Sequence, residues 1–311
     1  MAIYTVTLNA AVDHYVEVDR LDLGETNRVR HSEFDIGGKG INVSRVLHRL
    51  GHPTVAVAFV AGRAGDMVER GLAREGVPAR LMEGPGETRT NVSFRERDTS
   101  RQTSLNERGA EVPPELLEDL RAVLRAVPAG HVVVLAGSVP PGLPPSVYAD
   151  LVQELRDRGV RTVLDTSGRP LALALAARPS LIKPNHEEAG ELLGRRLESD
   201  GEVLAAGRAL LARGPETVVI SLGARGALAF TDGAVYRAVP PAVERRSTIG
   251  SGDSMVAGLA LALQPEGLSL PDALRWGTAA GAATAMTPGT DLCRPEDVHR
   301  LLDAVRVERV A

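Results

Sequence analysis

The 311 residues carry 36 basic and 40 acidic side chains, a formal charge of −4, and 43% hydrophobic residues, a balance that excludes a charge-driven role on nucleic acid or an anionic membrane surface. It also supplies the apolar surface for a large core. A single cysteine, Cys293, excludes internal disulfides and cysteine-cluster metal sites, and there is neither a basic, apolar leader nor a run near the roughly 20 residues that span a bilayer, so a reducing, cytoplasmic setting is expected.

The first strand is predicted at AIYTVTL (2–8), where β-branched and apolar residues alternate. GINVSRVLHRLG (40–51) follows at helical spacing: Ile41, Val43, Val46, Leu47 and Leu50 share a face, and Gly51 stops it. TVAVAFV (54–60) reads as a buried strand and AGDMVERGLAREG (64–76) as a helix ended by Gly76. The alternation continues with strand HVVVLAG (131–137), helix PSVYADLVQELRDRG (145–159), strand RTVLD (161–165) and a short helix near 169–177. Strand SLIKP (180–184), helix EEAGELLG (187–194), a helix at about 200–213 and strand TVVISLG (217–223) come next. GALAFTDGAVYRAVP (226–240) signals a hairpin turning at Asp232-Gly233, and helices are expected near 252–264, 270–286 and 295–306. Strands alternating with helices indicate βαβ units and a mostly parallel sheet covered on both faces.

Two stretches break the pattern. Residues 13–35 and 88–107 alternate at period two with charges between, as strands of a small separate sheet would. Built from two insertions (about 12–35 and 88–107) into one domain spanning 1–311, that sheet is expected to be a lid over a site, and its unpaired edges predict pairing of two copies into a homodimer.

TIGSGDSM (248–255) is the segment with the clearest chemistry. Gly250 and Gly252 let N–H groups turn into one concavity, and the helix that starts there adds the positive end of its dipole, so the turn suits a phosphoryl group. It is not G-x-G-x-x-G, because Met255 stands at the third glycine position. Nor is IGGKGIN (36–42) a Walker A loop, since Gly40 replaces Ser/Thr. Asp253 at the mouth of the turn has two readings. One is a helix-capping carboxylate; the other is a base facing an alcohol that attacks phosphorus. Lysine is scarce: only Lys39 and Lys183 occur among the 36 basic residues, both at turn-like junctions where a compact point charge is useful.

The ordered set GGKGIN (37–42), KPNHEE (183–188), SLGARGA (221–227) and GSGDS (250–254) resembles the PfkB, or ribokinase-like, carbohydrate kinases over nearly the whole chain. Within that family TLNAAVD (7–13), GETNRV (24–29), GGKGINV (37–43) and TRTNV (88–92) look most like the 1-phosphofructokinase branch, with the tagatose-6-phosphate kinases as near relatives. The resemblance implies a three-layer α/β fold, with a mostly parallel central sheet between helices and a small β-sheet lid. It implies transfer from ATP, with Mg2+, to the C6 hydroxyl of fructose 1-phosphate. Asp253 is then the base, and Gly250, Ser251 and Gly252 the anion hole. Lys183 and Asn185 match positions near the nucleotide phosphates, and Glu188 one that organises magnesium largely through water. The turn of Ser221, Leu222, Gly223, Ala224, Arg225 and Gly226 resembles the nucleotide-binding turn.

Asp13, Gly37, Gly38 and Asn42 match sugar contacts by the same resemblance. Lys39, Arg89 and Arg28 are candidates for the substrate's own phosphate, and Ser138 in AGSVPPG (136–142) for lining the sugar pocket. Two departures stand out: Ala10 occupies a position where the family often has proline, and Ser251 one where alanine is common. Tagatose 6-phosphate and fructose 6-phosphate remain alternative substrates. A nucleoside kinase is disfavoured by 3% aromatic residues, and a non-catalytic sensor by the intact Asp253, turn glycines and Glu188.

Overall fold

The structure is a computed structural model that describes residues 1–99 and 101–311. In chain order it forms β1 (Ile3–Thr7), β2 (Ala11–Val18), β3 (Val29–Gly37), α1 (Lys39–Arg49), β4 (Thr54–Val60), α2 (Gly62–Glu75), β5 (Ala79–Glu83), β6 (Arg89–Glu96) and β7 (Gln102–Asn106). There follow α3 (Pro114–Arg125), β8 (Val132–Ala136), α4 (Val147–Asp157), β9 (Arg161–Asp165), α5 (Gly168–Ala174), β10 (Leu181–Ile182), α6 (His186–Leu192) and α7 (Asp200–Leu211). The chain closes with β11 (Val218–Ser221), β12 (Ala227–Phe230), β13 (Val235–Val239), α8 (Ser251–Ala260), α9 (Leu270–Ala285), α10 (Pro295–Leu302) and β14 (Arg306–Arg309).

Ten strands make the main sheet in the order β14-β13-β12-β11-β10-β9-β8-β1-β4-β5. Neighbours from β5 to β11 run parallel, and those from β11 to β14 antiparallel. Strand β8 shows why the sheet is buried on both sides. Val133 and Leu135 pack with Leu120, Leu151 and Leu210 of α3, α4 and α7. Val132, Val134 and Ala136, pointing the other way, pack with Val46, Val256 and Ala280 of α1, α8 and α9. The result is the expected three-layer α/β arrangement.

Residues 13–35 and 88–107 contribute to a second sheet, β3-β2-β6-β7, standing apart from the first. Gly37, Ala11 and Arg89 are aligned across its root, and Asp35, Asp13 and Asn91 form a row two residues further out. The root is pinned by Arg45 of α1, which is 2% exposed. Its guanidinium donates to Asp35, Glu75 and the Ile36 carbonyl, tying β3, α1 and α2 together. Leaving one charge of such a buried set unpaired costs about 3–5 kcal/mol, so the base of the small sheet is held firmly.

Three elements were not anticipated: β5, α3 and β14. Helix α3 is amphipathic (Leu117, Leu120 and Leu124 are buried), but β5 and β14 are short and owe their conformation to partners in the sheet. The helix expected at 295–306 ends at Leu302, because Arg306–Arg309 pairs with β13 instead. SLIKP is a strand only at Leu181–Ile182, since Pro184 has no N–H for a ladder. The hairpin at Asp232-Gly233 forms, with Thr231 N donating to Ala234 O at 2.9 Å. Among the described residues no helix is long and apolar enough to cross a membrane.

Candidate active site

The parallel strands β1, β8, β9 and β10 are neighbours and end on one edge, and the segments that follow them carry the polar residues. Asp165 closes β9 and is 1% exposed. Both lysines of the chain converge on its Oδ1: Lys39 Nζ from the first residue of α1 at 3.3 Å, and Lys183 Nζ from just beyond β10 at 3.4 Å. Burial alone would push the Asp165 carboxyl up; the two ammonium groups outweigh it and hold the group below its ordinary value. Burial likewise opposes the charge on Lys39, yet Asp165, Asp253 and Glu188 keep its pKa above the usual lysine value. Asp165 Oδ2 is buried and has no hydrogen-bond partner among the described residues.

Helix α8 starts opposite this pair. Gly250 is its N-terminal flanking residue, with φ +75°, a conformation that a side chain disfavours. Ser251, Gly252 and Asp253 form the first turn, whose N–H groups find no carbonyl within the helix. Lys183 borders that turn, because a Cβ placed on Gly252 would lie 3.5 Å from Lys183 Nζ. Asp253 does not cap the helix. Its Oδ2 accepts from Asn42 Nδ2 at 2.8 Å, across 211 residues of sequence. Lys39 and Asn42 are three residues apart and reach the site from one face of α1. Burial raises Asp253 to about 6, with a further push from the Asp165 charge, while Lys39, Asn42 and Lys183 pull the other way.

On the flank beyond β10, Asn185 and Glu188 form a reciprocal cap on α6: Glu188 N donates to Asn185 Oδ1, and Asn185 N to Glu188 Oε2, both at 2.8 Å. Asn185 also bridges to Ser221 at the end of β11, and this brings the 221–226 turn alongside. Gly223, Ala224 and Arg225 are exposed there, and Arg225 pairs with Asp200. Leu222 points into the core and Gly226 backs onto the Ala238 carbonyl, so these two can offer a nucleotide only main-chain groups. Among the described residues no group of three or more His, Cys, Asp or Glu could hold a metal.

The root of the small sheet forms the other flank. Asp13 lies against Gly37, where a Cβ would overlap its carboxylate, and its Oδ1 accepts from Asn91 Nδ2 at 2.9 Å. Burial, with help from Asp35, raises the Asp13 pKa. Gly38 precedes α1 and accepts from Asn42 N. Among the described residues Arg89 donates only to main-chain carbonyls, Glu107 O and Asn9 O, each at 3.2 Å, and its buried Nε has no partner. Ser138, exposed beyond β8, accepts from Asn9 Nδ2 at 3.0 Å.

Arg28 does not join this corner. It immediately precedes Val29, which pairs with Val18 at the far end of β2, whereas Arg89 pairs with Ala11 at the near end. Seven residues of strand separate the two rows by roughly 23 Å, too far for one chain to bring both guanidinium groups to one phosphate. Lys39 is paired with Asp165. Two residues without a sequence-assigned role are central: Asp165 and Asn9. A carboxylate at the end of the mostly buried strand RTVLD is the available signal for the first.

The sequence pattern of the pfkB family carbohydrate kinases matches residues 6–297. The 1-phosphofructokinase of Bacillus subtilis is 37% identical over 308 residues, which cover 99% of this chain and 100% of that one. The D-tagatose-1-phosphate kinase of Bacillus licheniformis is 33% identical, covering 92% and 93% respectively. The crystal structure of phosphofructokinase-2 from Escherichia coli in complex with substrates and products superposes with a TM-score of 0.92 at 32% identity, over 98% of this chain and 99% of that one. The chain therefore belongs to the pfkB family of carbohydrate kinases and is an ATP-dependent sugar kinase.

Proposed function

We propose that this kinase transfers the γ-phosphoryl group of ATP to the C6 hydroxyl of fructose 1-phosphate, giving fructose 1,6-bisphosphate and ADP. The observation that carries the reading is Asp253: a buried carboxylate freed from capping, oriented by Asn42, and placed in the first turn of α8 beside Lys183. Asp253 takes the hydroxyl proton as the C6 oxygen bonds to phosphorus, and the bond from phosphorus to the β–γ bridging oxygen breaks as ADP leaves. The N–H groups of Gly250, Ser251 and Gly252 at the start of α8, with Lys183 and Lys39, neutralise charge on the moving phosphoryl group. Asn185 and the exposed 221–226 turn receive the nucleotide.

Magnesium fits this donor set only as a shared ion. One oxygen of Glu188 is committed to the α6 cap; the other would hold a metal-bound water, and nucleotide phosphates would supply the remaining ligands, their charge offset by the ion.

Asp13, Asn42, Gly37 and Gly38 face the sugar hydroxyls, and Arg89 with Ser138 faces its phosphate. Support for a phosphorylated substrate comes from Arg89, a guanidinium tied to carbonyls and to no carboxylate among the described residues. Rival ketohexose phosphates differ in phosphate position or in one hydroxyl, as the tagatose-1-phosphate relative illustrates. Side-by-side rates of ADP release with fructose 1-phosphate, fructose 6-phosphate and tagatose 6-phosphate decide among them. We also propose that the small sheet is a lid and that two copies pair through it, because Phe34 and Leu105, 57% and 58% exposed, stand on its outer strands.

Asp253→Asn is expected to lower kcat by about 10²-fold or more while ATP binding persists; near-normal turnover refutes the base. Because the free protein holds Asp253 at about 6, kcat/KM is expected to be full above that pH and to fall as pH drops through it. A profile flat down to pH 5 contradicts this. Arg89→Ala should raise KM for fructose 1-phosphate about tenfold or more with little change for ATP; equal effects on both reject the assignment. Light scattering should give a dimer, and a monomer at working concentration disproves pairing through the lid.

A further inference from the structure

The Arg89 corner contains a hydrogen-bond chain whose direction follows from chemistry alone. Asn9 is buried just beyond β1. Its Nδ2 lies 3.0 Å from the main-chain oxygen of Arg108 and 3.0 Å from Ser138 Oγ. A carbonyl only accepts, so the amide must present its NH2 on this side. Both N–H bonds are then committed, one to Arg108 and one to Ser138. Ser138 Oγ accepts from Asn9, and its own hydrogen is left to be donated outward from an exposed position. Arg89 donates to the main-chain oxygen of the same Asn9, so the free hydroxyl hydrogen and a guanidinium with no carboxylate partner among the described residues belong to one corner.

We infer that Asn9 is a positioning residue that makes Ser138 an obligate hydrogen-bond donor to the substrate's own phosphate. The inference rests on reading the Arg89 corner as the sugar-phosphate half-site. A dianionic phosphate presents acceptors only. A hydroxyl that donated inward would turn lone pairs toward it and repel it; one that accepts from Asn9 cannot. Asn9 thus acts through Ser138 without touching the substrate, and it discriminates for a phosphorylated sugar by setting the polarity of one hydroxyl.

The test is a double-mutant cycle on the full-length enzyme, with KM for fructose 1-phosphate, KM for ATP and kcat as readouts. Ser138→Ala removes a hydrogen bond to a charged group and is expected to raise the sugar-phosphate KM about tenfold. Asn9→Ala should raise it about threefold to tenfold, with kcat and the ATP KM within about twofold of wild type. Asn9→Ala combined with Ser138→Ala should match Ser138→Ala alone within about twofold, since Asn9 has nothing further to act through. Asn9→Asp is isosteric but can only accept from Ser138, so it should raise the same KM at least as far as Ser138→Ala. It decides the matter alone should Asn9→Ala fail to fold. Multiplicative effects in the double variant, an ATP KM or kcat that moves with the sugar KM, or a silent Asn9→Asp overturns the proposal. If Ser138→Ala is silent while Arg89→Ala is not, the proposal fails and the half-site stands. If both are silent, the half-site reading itself is wrong.

Discussion

One carboxylate oxygen that accepts two ammonium groups is the constraint around which this site is arranged. Asp165 is buried, and a buried charge persists only when paired. Its two partners come from opposite sides of the chain's topology, Lys39 from α1 and Lys183 from β10. Adding Asp253 gives two positive charges against two negative ones, of which Lys39 alone keeps substantial contact with solvent. The balance has a chemical consequence. In the proposed reaction, protonation of Asp253 would leave the cluster net positive as negative charge on the transferring phosphoryl group needs neutralising, which would couple the proton movement to the electrostatic stabilisation.

The fold makes this arrangement possible because β9, β10, β8 and β1 are neighbours whose carboxyl ends share an edge. Side chains far apart in sequence reach one another there without long excursions. Helix α1 contributes Lys39 and Asn42 from a single turn, and it also contributes Arg45, whose buried guanidinium locks the base of the small sheet. One helix therefore reaches the Asp165 cluster on one side and the root of the small sheet on the other. The register between the two halves is set by covalent continuity as well as by packing.

The two flanks handle charge differently. Around Asp165 cations and anions are paired within the protein, and a ligand must compete with or complete that set. At the small-sheet root Arg89 donates to two carbonyl oxygens, and among the described residues its Nε has no partner and no carboxylate pairs with it directly. A site of that kind keeps its cation in place and leaves its electrostatic attraction intact for an anion. Asn9 extends the same economy to a neutral group, spending both of its donors on the protein so that Ser138 keeps one.

Periodicity and the ordered glycine motifs were enough to determine the α/β class, most of the element order, the separate period-two sheet and the turn before α8. Those signals are local, and local propensity is consistent with the fold along most of the chain. The short strands β5 and β14 were not legible, because their conformation comes from neighbours in the sheet. At the site, sequence resemblance named Asp253, Lys183, Asn42 and Arg89, while the local sequence by itself left both a capping and a base reading of Asp253 open. Only the tertiary structure decided between capping and orientation by Asn42, 211 residues away, and only it brought Lys39 to Asp165 across 126 residues. It also separated Arg28 from Arg89, since strand register, not composition, sets how far apart two side chains lie. A hydrogen bond depends on positions within a few tenths of an ångström, and for residues so distant along the chain those positions are a property of the packed sheet and helices alone.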